Sequence, residues 1–211
     1  MADYSKLDHF SLKAQKEGYP ARSVYKLKEM DGKFGLLKAG KAYRVLDLGA
    51  APGSWSLYLL QKKAIVTAVD LSPLSGTFNQ GLPDKGQFCF LQGDFTDGEI
   101  REAIISKGPY DLIVSDAAPA TAGNRLLDTQ RSLELAEAVV DYAAACLVKG
   151  GSLVVKVFQG GDTGNLLKTL RGLFKTGRSF KPGSSRAESF ETYYLGLEKI
   201  TKIKQGEKNE N

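Results

Sequence analysis

The feature that most constrains this chain is the segment 45–55, Val-Leu-Asp-Leu-Gly-Ala-Ala-Pro-Gly-Ser-Trp. An apolar run typical of a buried strand leads directly into a turn of small residues that opens a helix. Gly49 and Gly53 can adopt positive φ and let backbone N–H groups approach a ligand closely, and the helix directs its positive end at an anion. The segment predicts an α/β protein with a nucleotide-like ligand at this turn, although similar turns also occur in α/β proteins without ligands.

A second strand, Ala-Ile-Val-Thr-Ala-Val-Asp at 64–70, follows the turn and ends in an acid. Rossmann-like units place at this point the carboxylate that binds ribose hydroxyls, so Asp70 is the candidate for that role. The turn is not G-x-G-x-x-G, which argues against a dinucleotide. The spacing therefore predicts a ligand that carries a single adenosine.

Beyond these two strands the sequence keeps alternating between strand-like and helix-like segments. Strands are predicted near 43–48, 65–70, 88–92, 110–115, 152–158 and 191–197, and helices near 20–31, 54–62, 97–106, 128–147 and 162–174. This alternation predicts an α/β fold with a mostly parallel sheet and helices on both faces. After residue 175 a basic loop leads into the last strand with no intervening helix, which predicts an antiparallel addition at the sheet edge.

Length and charge bound the organisation of the chain. Its 211 residues suit a single domain, predicted over 1–199 with the basic segment 1–42 included, and the polar tail 200–211 is predicted to be disordered. The net charge is +5, but residues 1–44 and 168–211 each hold ten Lys/Arg and five Asp/Glu, while the centre holds nine and fourteen. Two basic ends on one face would attract a polyanion; alternatively, the lysines only solvate the ends.

The remaining composition narrows the class of protein. Cys89 and Cys146 are isolated and lie in apolar surroundings, which indicates a reducing compartment. Because His9 is the only histidine, we expect no metal cluster of histidine and cysteine. No segment reaches the ~18 apolar residues of a membrane span, and the N-terminus lacks the apolar core of a signal peptide. We expect a soluble cytoplasmic protein without a membrane partner.

Polar residues at the predicted strand ends are the candidates for chemistry, because open α/β sheets bind ligands there. Asp94 could accept a hydrogen bond from an adenine amino group or could cap a turn. Lys156 lies between two apolar pairs in a predicted central strand, where an unpaired lysine is costly to bury; the alternative is an edge strand from which its amine reaches water. Burial can lower the pKa of a lysine, which suits a general base for a hydroxyl.

Together these segments resemble the FtsJ/RrmJ family of ribosomal RNA 2′-O-ribose methyltransferases. The resemblance covers residues 19 to about 197. It is carried by Ala21-Arg22-Ser23-Val24-Tyr25-Lys26-Leu27, the turn from Asp47 to Trp55, Asp70-Leu71-Ser72-Pro73, Gln92-Gly93-Asp94-Phe95, Ser115-Asp116-Ala117-Ala118-Pro119, Val155-Lys156-Val157-Phe158-Gln159-Gly160 and Pro182-Gly183-Ser184-Ser185-Arg186-Ala187. Ala120 and Ser54 depart from the family pattern, where asparagine and glycine are common.

The resemblance implies a Rossmann-like, seven-stranded methyltransferase fold and S-adenosylmethionine as the cofactor. It implies that the family's catalytic tetrad stands here as Lys26, Asp116, Lys156 and Glu191. Glu191 is chosen over Glu188 because it directly precedes the Thr-Tyr-Tyr strand. The implied cofactor-binding residues are Asp47, Gly49, Gly53, Trp55, Asp70, Asp94 and Asp116. Lys156 is either the base for the 2′-hydroxyl or the group that orients it, and neither route needs a metal.

The resemblance also suggests the partner. A compact chain of this family is expected to act as a monomer on a uridine of large-subunit ribosomal RNA. The basic ends of the chain add the candidates for phosphate contacts: Arg22 and Lys28, which flank Lys26, and Lys181 and Arg186, which precede Glu191. Three alternatives stay open: methylation of transfer RNA, methylation of a small molecule on the same fold, and a non-catalytic ribosome assembly factor that binds RNA. Transfer of a labelled methyl group to RNA separates an RNA methyltransferase from the last two alternatives. Mapping of 2′-O-methylation in RNA from cells with and without this protein separates ribosomal from transfer RNA.

Overall fold

The computed structural model describes residues 8–38, 40–82, 85–160, 163–186 and 188–200. The predicted disordered tail lies outside the described residues, except for Ile200.

The described residues form a seven-stranded sheet, as the family resemblance implies. Six of the strands were predicted from the sequence; the seventh, at 174–180, was predicted as the end of a helix and a basic loop, because its exposed and half-buried residues do not form an apolar run. The strands are β1 (Arg44–Leu48), β2 (Ile65–Asp70), β3 (Phe88–Gln92), β4 (Tyr110–Ser115), β5 (Leu147–Phe158), β6 (Phe174–Phe180) and β7 (Glu191–Lys199). The spatial order is β3-β2-β1-β4-β5-β7-β6. The first five strands in this order are parallel, and β7 pairs antiparallel with both β5 and β6. The predicted antiparallel addition at the sheet edge is confirmed.

Helices cover both faces of the sheet. They are α1 (His9–Lys16), α2 (Val24–Phe34), α3 (Ser54–Gln61), α4 (Gly76–Gly81), α5 (Gly98–Ser106), α6 (Arg125–Cys146) and α7 (Gly164–Leu173). One apolar cluster packs α2 and α3 on one face, and a second packs α5, α6 and α7 on the other.

Several boundaries differ from the predicted ones, for local reasons. The leading helix begins at Val24 rather than at 20, and α6 begins at Arg125 because the Asn124 side chain accepts hydrogen bonds from the next turn of backbone. Helices α1 and α4 were not predicted. They are preceded by Asp8 and Ser75, whose side chains accept the N-cap hydrogen bonds, but neither segment has a strong apolar repeat.

The alternation of side chains along the strands decides where the polar residues point. On β5, Val155 and Val157 pack in the α5–α7 cluster, whereas Val154 packs in the α2–α3 cluster. Lys156 has the same parity as Val154, so its side chain leaves the sheet toward α2. The same rule directs Glu191 toward α2, because Tyr193 on β7 packs in the α2–α3 cluster.

The close packing of β7 against the first residue of β6 predicts a sharp effect of adding one methyl group. A Cβ at Gly196 would lie within 2.6 Å of three ring carbons of Phe174, which is fully buried. We expect Gly196→Ala to lower the free energy of unfolding in urea by about 1–3 kcal/mol, the usual cost of overpacking a core. Gly172→Ala is the matched control, since nothing lies within 4 Å of its Cβ position on α7 and it should stabilise by up to about 1 kcal/mol. Equal effects of both variants would contradict the packing argument.

Candidate active site

The turn after β1 brings backbone close to backbone. Gly49 has φ +76°, and a Cβ there would lie 2.6 Å from the Cα of Ala117, in the loop that follows β4. Gly53 has φ +108°, precedes α3 directly, and would carry a Cβ 2.6 Å from the Phe78 ring. Both positions therefore require glycine, as the sequence predicts for a ligand-binding turn.

A cavity of about 640 Å³ opens beside this turn, at the carboxyl ends of the parallel strands. It is lined by Gly49, Ala51, Asp70, Leu71, Gly93, Asp94, Phe95, Thr96, Asp116, Ala117, Ala118, Pro119, Ala120, Arg131, Glu134 and Leu135. Its volume is in the range of small-molecule and cofactor sites. Of the predicted cofactor residues, Gly49, Asp70, Asp94 and Asp116 line the cavity, whereas Asp47, Gly53 and Trp55 do not.

Backbone donors hold the two carboxylates at the ends of β2 and β3. Asp70 accepts hydrogen bonds from the N–H groups of Ala51, at 2.9 Å, and Ser72, at 2.8 Å. Asp94 accepts from the backbone N–H and the hydroxyl of Thr96, so it does cap a turn while also lining the cavity. Each carboxylate keeps a fixed orientation and retains lone pairs for a ligand.

Asp47 and Trp55 lie behind the turn and support it. The Ser56 hydroxyl donates to one oxygen of Asp47 at 2.6 Å, while the other oxygen, Oδ1, is buried without a hydrogen-bond partner. Burial raises the pKa of Asp47 to about 7, and the negative charges of Asp116 and Asp70 add to this effect. The Trp55 indole N–H donates to the Ser23 carbonyl, which ties α3 to the start of α2.

The four residues of the implied tetrad meet in two ion pairs next to the cavity. Lys26 on α2 contacts Glu191 at the start of β7, and Lys156 Nζ on β5 lies 3.0 Å from Asp116 Oδ1. Lys156 also donates to the backbone carbonyl of Asp116 at 2.5 Å. Each of these side chains is less than one-fifth exposed. Glu188 is exposed, which supports the choice of Glu191.

Tyr193 joins the two ion pairs and was missed in the sequence. Its hydroxyl donates to Asp116 Oδ1 at 2.6 Å, and Lys26 Nζ lies 5.8 Å from the centre of its ring. Tyr193 stands opposite Lys156 in the β5–β7 pairing, and the two-residue period of a strand places it on the same face as Glu191. That period was the available signal, but it required knowing that β7 lies beside β5.

The positive charges around Asp116 determine its protonation state. Burial by itself would raise the pKa of Asp116, but the positive charges of Lys156 and Lys26 and the Tyr193 hydrogen bond outweigh it and lower that pKa below its ordinary value. Asp116 is therefore a carboxylate at neutral pH. The site holds a fixed negative charge that touches one buried amine and lies near the other.

The four predicted RNA contacts divide into two kinds. Arg22 contacts Asp8 and donates to the Ser184 carbonyl, and Lys28 contacts Glu17 at 2.9 Å, so both are engaged within the protein. Lys181 is exposed and donates to the Ser189 carbonyl. The side chain of Arg186 is 56% exposed and lies 3.5 Å from Asp8.

The described part of the chain lacks two kinds of feature. There, no group of three or more His, Cys, Asp or Glu side chains is arranged to hold a metal. Within the same ranges, no helix is both long enough and apolar enough to cross a membrane.

The sheet order, the glycine turn and the cavity at the strand ends define a Rossmann-like methyltransferase fold. A crystal structure of a ribosomal RNA methyltransferase from Plasmodium falciparum superposes with a TM-score of 0.70 at 28% identity, covering 86% of this chain and 98% of that one. Residues 19–199 match the family described as FtsJ-like methyltransferase. The chain belongs to that family, and it is a methyltransferase.

Bacterial relatives match over nearly their whole length. Ribosomal RNA large subunit methyltransferase E of Treponema denticola is 51% identical over 199 residues, covering 92% of this chain and 96% of that protein. The protein of the same name from Borreliella afzelii is 44% identical over 191 residues, covering 90% and 96%.

The buried carboxyl of Asp47 predicts a pH-dependent stability. Because its pKa is raised to about 7 in the folded protein from an ordinary 3.8, folding favours its protonated form, and this stabilisation is lost as the pH rises between about 4 and 7. Asp47→Asn removes the titration, so the variant should gain more stability relative to the wild type at pH 8 than at pH 5. Urea unfolding at both pH values measures this difference.

The control is Ser56→Ala, which removes the hydrogen bond to Asp47 and leaves the carboxyl in place. Because that hydrogen bond opposes the rise in the Asp47 pKa, the variant should keep the fall in stability due to Asp47, and the fall should extend to higher pH. A difference between Asp47→Asn and the wild type that is equal at both pH values would show that Asp47 titrates normally in the folded protein.

Proposed function

We propose that this chain transfers the methyl group of S-adenosylmethionine to a ribose 2′-hydroxyl, at a uridine of large-subunit ribosomal RNA. The observation that carries the proposal is the meeting of Lys26, Asp116, Lys156 and Glu191 at the edge of the cavity. The names of the bacterial relatives support the choice of ribosomal RNA. All four residues come from one chain, so a monomer suffices, and this substrate implies a cytoplasmic location.

The residues of the cavity fit this cofactor. Asp70 is oriented to accept from the ribose hydroxyls, and Asp94, which lines the same cavity after the neighbouring strand, can accept from the adenine amino group. Gly49 leaves free the space that a side chain would fill. S-adenosylmethionine supplies the methyl group on a positively charged sulfur.

The ion pairs then act on the substrate. Lys156 either accepts the proton of the 2′-hydroxyl or holds that hydroxyl in line with the methyl group, and ionised Asp116 fixes the position of its amine. Lys26 and Glu191 position the ribose from the opposite side. Because the transfer neutralises a charge, a prealigned site with largely buried charged side chains favours it over reaction in water.

Replacement of Lys156 tests its role directly. We expect Lys156→Ala to lower the rate of labelled-methyl transfer to ribosomal RNA by about 10²–10⁴-fold, the usual contribution of a general base, with little change in cofactor affinity. Asp70→Ala is the matched comparison, because it should weaken cofactor binding measured by calorimetry and leave RNA binding intact. Near-normal turnover by Lys156→Ala would refute the assignment.

Mapping of 2′-O-methyl groups in the RNA product, with transfer RNA as a second substrate, tests the choice of target.

The exposed cations predict the salt dependence of RNA binding. Each phosphate contact contributes about 0.7 (single strand) to 0.9 (duplex) to the slope of log affinity against log salt. A Lys181→Ala, Arg186→Ala double variant should therefore bind RNA with a shallower slope and unchanged cofactor affinity. Lys175→Ala is the control, since Lys175 is exposed at the opposite end of the sheet from Glu191. Parallel slopes for the double variant and the wild type would place the RNA path elsewhere.

A further inference from the structure

We propose that Ser185 is a positioning residue that holds Glu191 against Lys26, and that Glu29 on α2 fixes the loop that carries Ser185. This loop, 182–186, has the sequence Pro-Gly-Ser-Ser-Arg, and the function proposed above gives a task only to its last residue, Arg186, at the RNA surface. The inference rests on that proposed function for its effect on catalysis, but the contacts themselves stand apart from it.

The first contact joins the loop to the tetrad. The Ser185 hydroxyl donates to Glu191 Oε1 at 2.9 Å, and the same oxygen contacts Lys26. Glu191 is buried, and a buried carboxylate needs donors that fix it as well as a counter-charge. Lys26 has a flexible four-carbon stem, so the charge pair alone leaves the carboxylate free to turn. The short Ser185 side chain limits that motion.

The second set of contacts holds the loop on α2. One oxygen of Glu29 accepts from the Gly183 N–H at 2.9 Å, and the other accepts from the N–H and hydroxyl of Ser184, both at 3.2 Å. Ser184 is buried, so these donors would be costly to leave without an acceptor. Arg22, in the turn before α2, donates to the Ser184 carbonyl. The loop backbone is therefore held by both an acidic and a basic side chain.

The spacing of Lys26 and Glu29 along α2 connects the loop to the tetrad. Glu29 follows Lys26 by three residues, so both side chains leave the same face of the helix. One face of α2 thus holds the loop through Glu29 and reaches the tetrad through Lys26. The loop in turn contacts Glu191 through the Ser185 hydroxyl. Lys26 and Glu191, which are far apart in sequence, are thus connected both by their own ion pair and through the loop.

A double-mutant cycle tests the positioning role. Ser185→Ala should lower kcat for methyl transfer to RNA by about 10- to 100-fold, the factor expected for loss of one hydrogen bond to a charged group, with the KM for S-adenosylmethionine unchanged. Ser185→Thr keeps the hydroxyl and should restore most of the rate. In a Glu191→Ala background, Ser185→Ala should cost nothing further, because it acts only through Glu191. Glu29→Ala should behave as Ser185→Ala does in both backgrounds.

The control is Ser106→Ala, which removes an exposed hydroxyl on α5 that is bonded only to its own helix. The positioning role is overturned if Ser185→Ala leaves kcat unchanged, or if it lowers kcat by the same factor with and without Glu191. The four proteins of the cycle are also unfolded in urea, where Ser185 and Glu191 should show a coupling that additive effects do not explain. If the wild type transfers no methyl group to RNA, the proposed function fails, and the unfolding cycle alone decides whether Ser185 holds Glu191.

Discussion

The contact between Lys156 and Asp116 is the interaction on which the rest of the site depends. Both charges lie at the ends of neighbouring parallel strands, among apolar residues, and neither is stable there without the other. Removal of one partner would leave an uncompensated buried charge. The surrounding polar groups add hydrogen bonds to this pair. The Tyr193 hydroxyl donates to the Asp116 carboxylate, and the Asp116 backbone carbonyl accepts from the Lys156 amine. The strand pairings that deliver these groups are thereby constrained as well.

The two halves of the site are held by different means. On the cofactor side, backbone N–H groups orient Asp70, and a glycine turn makes room for the ligand. On the substrate side, side chains orient one another through two ion pairs and a tyrosine hydroxyl. The first half is therefore fixed by the local fold of strand and turn. The second half depends on α2, β5 and β7 being packed together, and it responds to changes in any of them.

This difference explains what could be predicted from the sequence. The parallel strands, the glycine turn and the buried position of Lys156 follow from local patterns of apolar and small residues, and the resemblance to a known family supplied Lys26 and Glu191. Tyr193 was missed, because its role depends on which strand lies beside β5. The engagement of Arg22 by Asp8 and the Ser184 carbonyl was also missed, since a surface arginine carries no local sign of its partners. Helix α4 escaped prediction because it is short and both begins and ends with glycine.

The place of β7 in the sheet has a consequence for the order in which the site forms during protein synthesis. β7 follows every other described strand in the chain, yet it lies between β5 and β6. As the chain emerges, Lys156 and Asp116 therefore leave the exit tunnel well before Glu191 and Tyr193. Until then β5 has no β7 to pair with, and Asp116 has no hydrogen bond from the Tyr193 hydroxyl. The tetrad and Tyr193 can therefore come together only after β7 has been synthesised and has paired with β5.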